Sequence, residues 1–292
     1  MDDRDWLAQK FEETRTHLRA VAYRMLGSFS EADDAVQEAW IRLNRSDAKS
    51  IENLGGWLTT VVGRVCLDVL RSRKSRREEP LDELLPDLIL SREDRKDPEQ
   101  EALIADSVGV ALLVVLGTLA PQERIAFVLH DMFAVPFDEI ASIVGCTPVA
   151  ARQLASRARR KVRGTAPTPD VDRGRQRKVV NAFLEAVRRG DFEALLEVLD
   201  PDVVLNSDHI SGTLKKIRGA GIVAQQALMF SRLAEYVQPV QVNGAAGIIS
   251  WLPDGRPFSV MGFTVRKGKI VQIDVLSDPA RLSRLDLTVV RH

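Results

Sequence analysis

The stretch FDEIASIVGCTPVAARQLASRARRKVR, residues 137–163, decides how the first half of the chain is interpreted. Asp138 can open a short helix at the end where acids are favoured, and Gly145 suits the left-handed position that ends it. Thr147 can cap the helix that follows, with Pro148 in its first turn. The pattern predicts two helices joined by a tight glycine turn, the spacing of a helix-turn-helix motif. An ordinary helical hairpin is the alternative.

The second of these helices carries the residue types that reach DNA. Positions 153, 156, 157 and 160 share one helical face, and Gln, Ser and Arg side chains there can contact base edges or phosphates. The residues of this segment that we predict to contact DNA are Thr147, Val149, Ala150, Arg152, Gln153, Ser156, Arg157 and Arg160.

A second basic segment, residues 57–77, begins with a tryptophan and ends in arginines. Aromatic rings can stack on unpaired bases while basic side chains follow the phosphates, so the segment can bind single-stranded DNA. The alternative is that Trp57 anchors a core and the arginines are solvated. The predicted DNA-contacting residues are Trp57, Arg64, Asp68, Arg71, Arg73, Arg76 and Arg77.

Composition excludes several other classes. The 41 basic and 41 acidic residues cancel, while 45% of the residues are hydrophobic, enough for buried cores. Cys66 and Cys146 stand in different segments and form neither a disulfide framework nor a metal-binding pair. The first ten residues lack the apolar core of a signal peptide, and the longest apolar stretch, 108–119, is too short to span a bilayer. We therefore expect a cytoplasmic protein with no membrane contact.

Shifts in composition divide the chain. Residues 78–100 are acidic and broken by prolines, and residues 164–174 combine Gly, Pro and Thr, as linkers do. The predicted order is a helical domain at 1–79, an acidic linker at 80–100, a helix-turn-helix domain at 101–163, a linker at 164–175 and a last domain at 176–292.

The last domain changes from helical to strand patterning. Two helices are predicted up to Leu199, a short strand at 203–205 and a further helix at 220–234. Turns at Asn243-Gly244, Asp254-Gly255 and Lys267-Gly268 have hairpin chemistry, so strands are expected at 237–242, 247–252, 258–266 and 269–276. Helices followed by an antiparallel meander make an α+β domain.

Several runs together resemble a known family. AYRMLG at 22–27, EADDAVQEAW at 31–40 and the pair Trp57-Leu58 resemble region 2 of extracytoplasmic-function sigma factors. LAPQER at 119–124, with the helix-turn-helix, resembles their region 4. The remainder resembles a SnoaL-like, NTF2-like domain, which is fused to sigma factors of one subgroup. Its signature turns are matched by NGAAG at 243–247 and SDPARL at 277–282.

The resemblance implies a sigma factor that binds core RNA polymerase and directs transcription initiation at the −10 and −35 promoter elements. Region 2 would dock on the β′ clamp coiled coil through Asp33, Asp34, Gln37 and Glu38, and region 4 would contact the β flap. No catalytic residue, metal or cofactor is implied. The C-terminal domain would act in cis by contacting the sigma core, with the acidic linker and its Leu84, Leu85, Leu88 and Ile89 as the candidate surface.

Two other classes stay open at this point. NTF2-like cones often enclose a pocket, and an enzyme could use the available acid–base groups, which are Asp202, Asp208, His209 and Asp274. Fold class alone does not establish such an activity. A DNA-binding regulator that senses a ligand without polymerase is the third reading, and the region 2 resemblance argues against it.

Overall fold

The computed structural model describes residues 3–46, 51–75, 85–91, 109–165, 170, 172–208, 214–288 and 290. These residues form two compact units. The first holds the described residues up to Ser75 and those of 115–165, and the second holds 85–91, 109–114 and the described residues from 170 onward.

Three helices begin the first unit: α1 (Asp3–Leu26), α2 (Phe29–Arg45) and α3 (Leu54–Ser75). They pack against one another around fully buried side chains that include Leu18, Met25, Leu43, Leu58 and Leu67. Helix α2 buries Ala35, Val36, Ala39 and Leu43 on one side.

Helix α2 follows α1 after a short, sharp turn. It begins at Phe29, and its cap position is held by Ser28, whose backbone is extended (φ −129°, ψ 133°). The turn is due to Gly27, whose left-handed φ of 74° bends the chain so sharply that the next helix starts at once.

The rest of the first unit is the predicted helix-turn-helix with a helical lead-in. It comprises α4 (Val110–Gly117), whose last residues pass into this unit, α5 (Pro121–Phe127), a π-helical turn (Val128–Met132), α6 (Phe137–Val144) and α7 (Pro148–Thr165). Gly145 ends α6 with φ 76° and ψ 47°, as predicted. Thr147 caps α7, because its Oγ1 accepts a hydrogen bond from the Ala150 amide at 3.2 Å.

Helix α3 also packs against α6 inside this unit. At Gly63, a Cβ atom would lie 3.3 Å from both Cδ1 and Cγ2 of Ile143. A side chain at position 63 would therefore require Ile143 to shift by a few tenths of an ångström.

The second unit is a mixed sheet with helices over one face. Its strands are β1 (Leu90–Ser91), β2 (Leu199–Asp208), β3 (Leu214–Arg218), β4 (Val237–Val242), β5 (Ala245–Trp251), β6 (Pro257–Arg266) and β7 (Lys269–Leu276), in the spatial order β1-β4-β5-β6-β7-β2-β3. Strands β4 to β7 form the predicted antiparallel meander, and β2 lies parallel to β7. Asn243-Gly244 and Lys267-Gly268 turn with positive φ at all four residues.

The helices of this unit are α8 (Arg173–Arg189), α9 (Phe192–Val198), α10 (Ala220–Met229), a 3-10 turn (Ser231–Tyr236) and α11 (Pro279–Leu282). Helices α8, α9 and α10 cover one face of the sheet, around a core that includes Val180, Phe183, Leu195, Phe263 and Ile273. The predicted fold class, all-α domains followed by an α+β domain, is confirmed.

A second core of the sheet takes in residues from far upstream. Leu85, Leu88, Leu90 and Val110 pack with side chains that include Val240, Val242, Ile249, Val260, Leu276 and Leu282. Strand β1 pairs with β4 through Leu90↔Val242 and Ser91↔Gln241. The Ile89 amide donates to Asn243 Oδ1 at 2.8 Å, and the Asn243 amide donates to the Ile89 carbonyl at 2.8 Å. Of the predicted acidic linker, Leu90 and Ser91 thus form a strand of this sheet and Leu85 and Leu88 pack into its core, while Leu84 lies outside the described residues.

Candidate nucleic-acid interface

Helix α7 has one packed face and one open face. Ala151, Leu154, Ala155 and Ala158 are buried against the rest of the unit. The opposite face is exposed and carries most of the residues predicted to contact DNA, namely Thr147, Val149, Arg152, Gln153, Ser156, Arg157 and Arg160, while Ala150 is half-buried. Val149 is 60% exposed at the start of the helix, an apolar side chain left in water beside basic ones. This face has the composition of a DNA-reading surface.

Basic side chains of α7 form ion pairs with acidic side chains on neighbouring elements. Lys161 Nζ lies 2.7 Å from Glu123 Oε2, and Arg157 Nε lies 3.8 Å from the other oxygen of the same carboxylate. Arg159 pairs with Asp131 at 2.6 Å. Because Arg157 is 52% exposed and its ion pair is long, it can exchange Glu123 for another anion while Lys161 continues to neutralise that carboxylate.

Helix α3 presents the second predicted surface. Arg64, Asp68 and Arg71 are exposed and Trp57 is half-buried. Arg64 Nη2 donates to the Ser142 carbonyl at 3.4 Å, and Arg71 Nη2 donates to the Val144 carbonyl at 3.5 Å. Both carbonyls belong to α6, so these arginines contact the first helix of the helix-turn-helix.

Arg73 differs from the other predicted contacts on α3. It donates to the Leu26 carbonyl at 3.3 Å and forms an ion pair with Glu31. Its side chain is only 18% exposed, so binding a phosphate would require it to leave these partners. Arg76 and Arg77 lie outside the described residues.

The acidic face of α2 is accessible. Asp33, Asp34 and Gln37 are exposed and Glu38 is half-buried. Asp33 pairs with Arg19 of α1 at 2.7 Å, and Glu38 pairs with Arg42 at 2.8 Å. The sequence analysis missed Arg19, because no local pattern links it to a residue fourteen positions away. Asp34 and Gln37 stand beside these pairs on the same face.

The C-terminal unit contains a cavity of about 390 Å³ between the sheet and its helices. Of the three acid–base groups considered for an enzyme that the structure describes, Asp202, Asp208 and Asp274, only Asp208 lines it. The Asp208 carboxylate accepts hydrogen bonds from the amides of Ser277 at 2.5 Å and Asp278 at 3.3 Å. Its other oxygen faces the Arg281 guanidinium at 3.5 Å. Both oxygens of this carboxylate are therefore already engaged by protein groups.

The other two described groups, Asp202 and Asp274, do not line the cavity. Asp274 is buried and accepts hydrogen bonds from Asn206 at 2.7 Å and from Gln272 at 2.9 Å. Burial raises the pKa of the Asp274 carboxyl to about 6, and these hydrogen bonds oppose the shift. Asp202 pairs with Arg218 at the surface. His209 lies outside the described residues.

Arg281 has long-range contacts that the sequence did not predict. Besides Asp208, its guanidinium donates to the carbonyls of Leu85 and Pro86, the latter at 3.2 Å. It therefore joins the cavity wall to the upstream segment 85–91. Its position in the SDPARL turn was noted, but its partners lie almost 200 positions away in the sequence.

Within the described part of the chain, no group of three or more His, Cys, Asp or Glu side chains could hold a metal ion. None of the helices in those same residues combines the length and apolar character needed to cross a bilayer.

A helix-turn-helix with an open basic face follows a helical segment with an acidic face, and the family comparisons identify both segments as sigma-factor regions. Residues 11–76 match Sigma-70 region 2, and residues 109–162 match Sigma-70, region 4. Over 286 residues, 98% of each chain, the sequence is 35% identical to the probable ECF RNA polymerase sigma factor SigI of Mycobacterium tuberculosis. The chain belongs to the family of extracytoplasmic-function (ECF) RNA polymerase sigma factors.

Two further comparisons cover nearly the whole chain. The ECF RNA polymerase sigma factor SigJ of Mycobacterium tuberculosis is 36% identical over 290 residues, which cover 94% of this chain and 92% of that protein. The crystal structure of the Mycobacterium tuberculosis extracytoplasmic function sigma factor SigJ superimposes with a TM-score of 0.78 at 34% identity, covering 96% of this chain and 99% of that one. The similarity therefore extends through the C-terminal unit.

Proposed function

We propose that this chain binds core RNA polymerase in the cytoplasm, directs it to promoters with −10 and −35 elements, and is regulated in cis by its C-terminal unit. The observation that carries the proposal is the open face of α7, where Gln153, Ser156, Arg157 and Arg160 stand exposed opposite a buried apolar face. The polymerase supplies the chemistry, so the chain needs no catalytic group of its own. Copurification with core polymerase, followed by selection of bound promoter duplexes, tests the proposal.

The −35 element is assigned to α7. In a helix-turn-helix, the second helix enters the major groove while the first crosses the backbone, so α6 would lie over the phosphates. Arg157 and Arg160 are then the candidates for bidentate contacts with guanine. The guanidinium of Arg152 lies 5.6 Å from the centroid of the Phe137 ring. This contact holds the guanidinium beside the start of α7, where a DNA phosphate would lie.

The −10 element is assigned to α3. Opening a duplex costs a few kcal/mol per flipped base, and stacking on Trp57 with phosphate contacts from Arg64 and Arg71 would offset that cost. Both arginines contact α6 in this structure. We infer that α3 and α6 must separate before the −10 strand can occupy this surface.

Replacing Gly63 with leucine tests that separation. The new side chain would meet Ile143, whose carbons lie 3.3 Å from the position of a Cβ atom. Overpacking costs about 1–3 kcal/mol, which shifts the ratio of separated to packed forms by about 5- to 150-fold. We expect severalfold tighter binding of a single-stranded −10 oligonucleotide by the complex with core polymerase, measured by fluorescence anisotropy.

Gly221→Leu is the matched control. Gly221 also lies in a helix, and nothing stands within 4 Å of its Cβ position, so this variant gains the same helix propensity without a clash. Binding that is equal in Gly63→Leu, Gly221→Leu and the parent protein would show that the α3–α6 contact does not restrict the −10 surface.

Polymerase docking is assigned to the acidic face of α2. The double substitution Asp34→Lys/Glu38→Lys should lower affinity for core polymerase about tenfold, mostly by slowing association, with a smaller effect at high salt. Both side chains stand on the side of α2 away from its buried residues, so folding should survive. Surface plasmon resonance at two salt concentrations measures the change.

The control for docking carries the same change in charge elsewhere. Glu185 and Glu193 lie on the helices of the C-terminal unit, and Glu185→Lys/Glu193→Lys should bind core polymerase like the parent protein. If the α2 variant also retained the parent association rate, the docking surface would have to be sought on another element.

Regulation in cis is assigned to segment 85–91, which belongs to the core of the C-terminal unit. A truncation after Arg163 would leave Leu85, Leu88, Leu90 and Val110 without the side chains that bury them. In such a truncated protein, the effect of releasing the segment could not be distinguished from the effect of exposing apolar surface. A point variant that loosens the segment is therefore the sharper test, and Arg281 provides it.

A further inference from the structure

An apolar side chain stands in the middle of the open face of α7. Val149 is 60% exposed, although valine is a poorer helix former than alanine and gains nothing from contact with water. By helical periodicity, Val149 lies on one narrow stripe with the residues four, seven and eleven positions later, which are Gln153, Ser156 and Arg160. The buried residues of α7 lie on the opposite side. The stripe is therefore the centre of the face that would enter the major groove.

The other side chains at the start of α7 are engaged or less exposed. The Thr147 hydroxyl accepts a hydrogen bond from the Ala150 amide at 3.2 Å, and both Pro148 and Ala150 are half-buried. In helix-turn-helix proteins, the N-terminal residues of the recognition helix are the ones that contact base edges. Val149 is therefore the exposed side chain with which this turn can contact a base.

The chemistry of the base edges selects one partner for a valine side chain. Valine has no hydrogen-bond donor or acceptor, so covering a polar group of a base with it would remove water without replacing the hydrogen bond, which is costly. The apolar group that the standard bases present in the major groove is the C5-methyl of thymine. Contact between that methyl group and the methyl groups of Val149 would remove apolar surface from water on both sides.

We propose that Val149 selects thymine at one position of the −35 element, through contact with the C5-methyl group of that base. The assignment rests on the proposed function of α7 and deepens it, because it adds an apolar contact with one base to the guanine contacts of Arg157 and Arg160. Gln153 follows Val149 by one helical turn, a rise of about 6 Å, whereas successive base pairs are about 3.4 Å apart. Gln153 would therefore reach a different base pair.

Removing the methyl group from the DNA tests this assignment. Uracil pairs as thymine does and lacks only the C5-methyl, so we would replace the thymines of a selected −35 duplex by uracil one at a time. One of these replacements should weaken binding to the complex of the full chain with core polymerase about fourfold, which corresponds to one buried methyl group. Fluorescence anisotropy, in competition with unlabelled duplex, measures the affinities.

The variant Val149→Ala completes a double-mutant cycle with the uracil duplex. Because Val149 is exposed and alanine is the better helix former, the variant should fold as the parent chain does. It should bind the thymine duplex about fourfold more weakly than the parent and should no longer distinguish thymine from uracil at that position. Gln153→Ala is the matched control on the same stripe, and it should bind both duplexes more weakly while keeping the difference between them.

Failure of the thymine assignment can be distinguished from failure of the proposed function. If the complex selects a −35 duplex but tolerates every uracil replacement, the assignment is overturned while promoter recognition stands. A selected element without thymine, or an equal loss on uracil in Val149→Ala and the parent, has the same consequence. If the complex selects no duplex at all, the proposed function is overturned and the assignment falls with it.

Discussion

Replacing Arg157 and Arg160 together with alanine is expected to weaken binding of a selected −35 duplex by about 2–6 kcal/mol, since each bidentate contact with a base contributes about 1–3 kcal/mol. Both side chains stand on the open face of α7. Folding should be preserved, because Lys161 remains 2.7 Å from Glu123 after Arg157 is removed. A gel-shift or anisotropy titration at several salt concentrations measures the loss.

The salt series separates base reading from phosphate contact. If the arginines contact only phosphates, affinity should fall equally on all sequences and the salt slope should flatten by about one per lost contact. Arg189→Ala/Arg218→Ala removes the same charge from side chains of the C-terminal unit that are 71% and 69% exposed, and should bind as the parent does. If the α7 variant bound the −35 duplex as tightly as the parent protein does, α7 would not be the helix that recognises the bases.

Replacing Arg281 with alanine is expected to lower the free energy of unfolding of the C-terminal unit by about 3 kcal/mol, the lower end for breaking a buried ion pair. The Asp208 side chain is fully buried and that of Arg281 is 17% exposed, so the carboxylate would lose its charge partner. The Asp208 carboxylate keeps its hydrogen bonds to the Ser277 and Asp278 amides. We therefore expect the decrease in the free energy of unfolding to stay at that lower end. Denaturant unfolding monitored in this unit gives the value.

The same substitution should release segment 85–91. The carbonyls of Leu85 and Pro86 lose their donor, so hydrogen exchange should accelerate there more than in the central strands. If the segment regulates the chain in cis, promoter-dependent transcription should change severalfold while affinity for core polymerase stays the same. Arg284→Ala, an exposed arginine three residues on, is the control. Unchanged exchange in Arg281→Ala would show that the segment is held by other contacts.

The features that sequence could predict are those fixed by neighbouring residues. Gly145 and Thr147 determine how α6 ends and α7 begins, because a left-handed glycine and a capping hydroxyl act within four residues. The hairpin turns of the sheet at Asn243-Gly244 and Lys267-Gly268 were predictable for the same reason. The exposed and buried faces of α2 and α7 follow from helical periodicity.

The features that sequence could not predict join distant positions. Strand β1 has two residues and pairs with β4 some 150 positions later, so no local alternation marks it as a strand. The anchoring of Leu85 and Pro86 by Arg281 is equally remote. Contacts of Arg64 and Arg71 with α6 depend on the packing of α3. Such pairings arise from tertiary packing, which overrides local preference.

Run-off transcription with core RNA polymerase on genomic fragments tests most directly whether this chain directs promoter recognition. The account predicts that adding the chain to core polymerase yields discrete transcripts whose start sites share a −10 and a −35 element. It also predicts that the Arg157→Ala/Arg160→Ala variant gives no such transcripts although it still binds polymerase. Discrete transcripts of equal yield from the parent chain and this variant, or none from a parent chain that occupies the polymerase, would contradict the account.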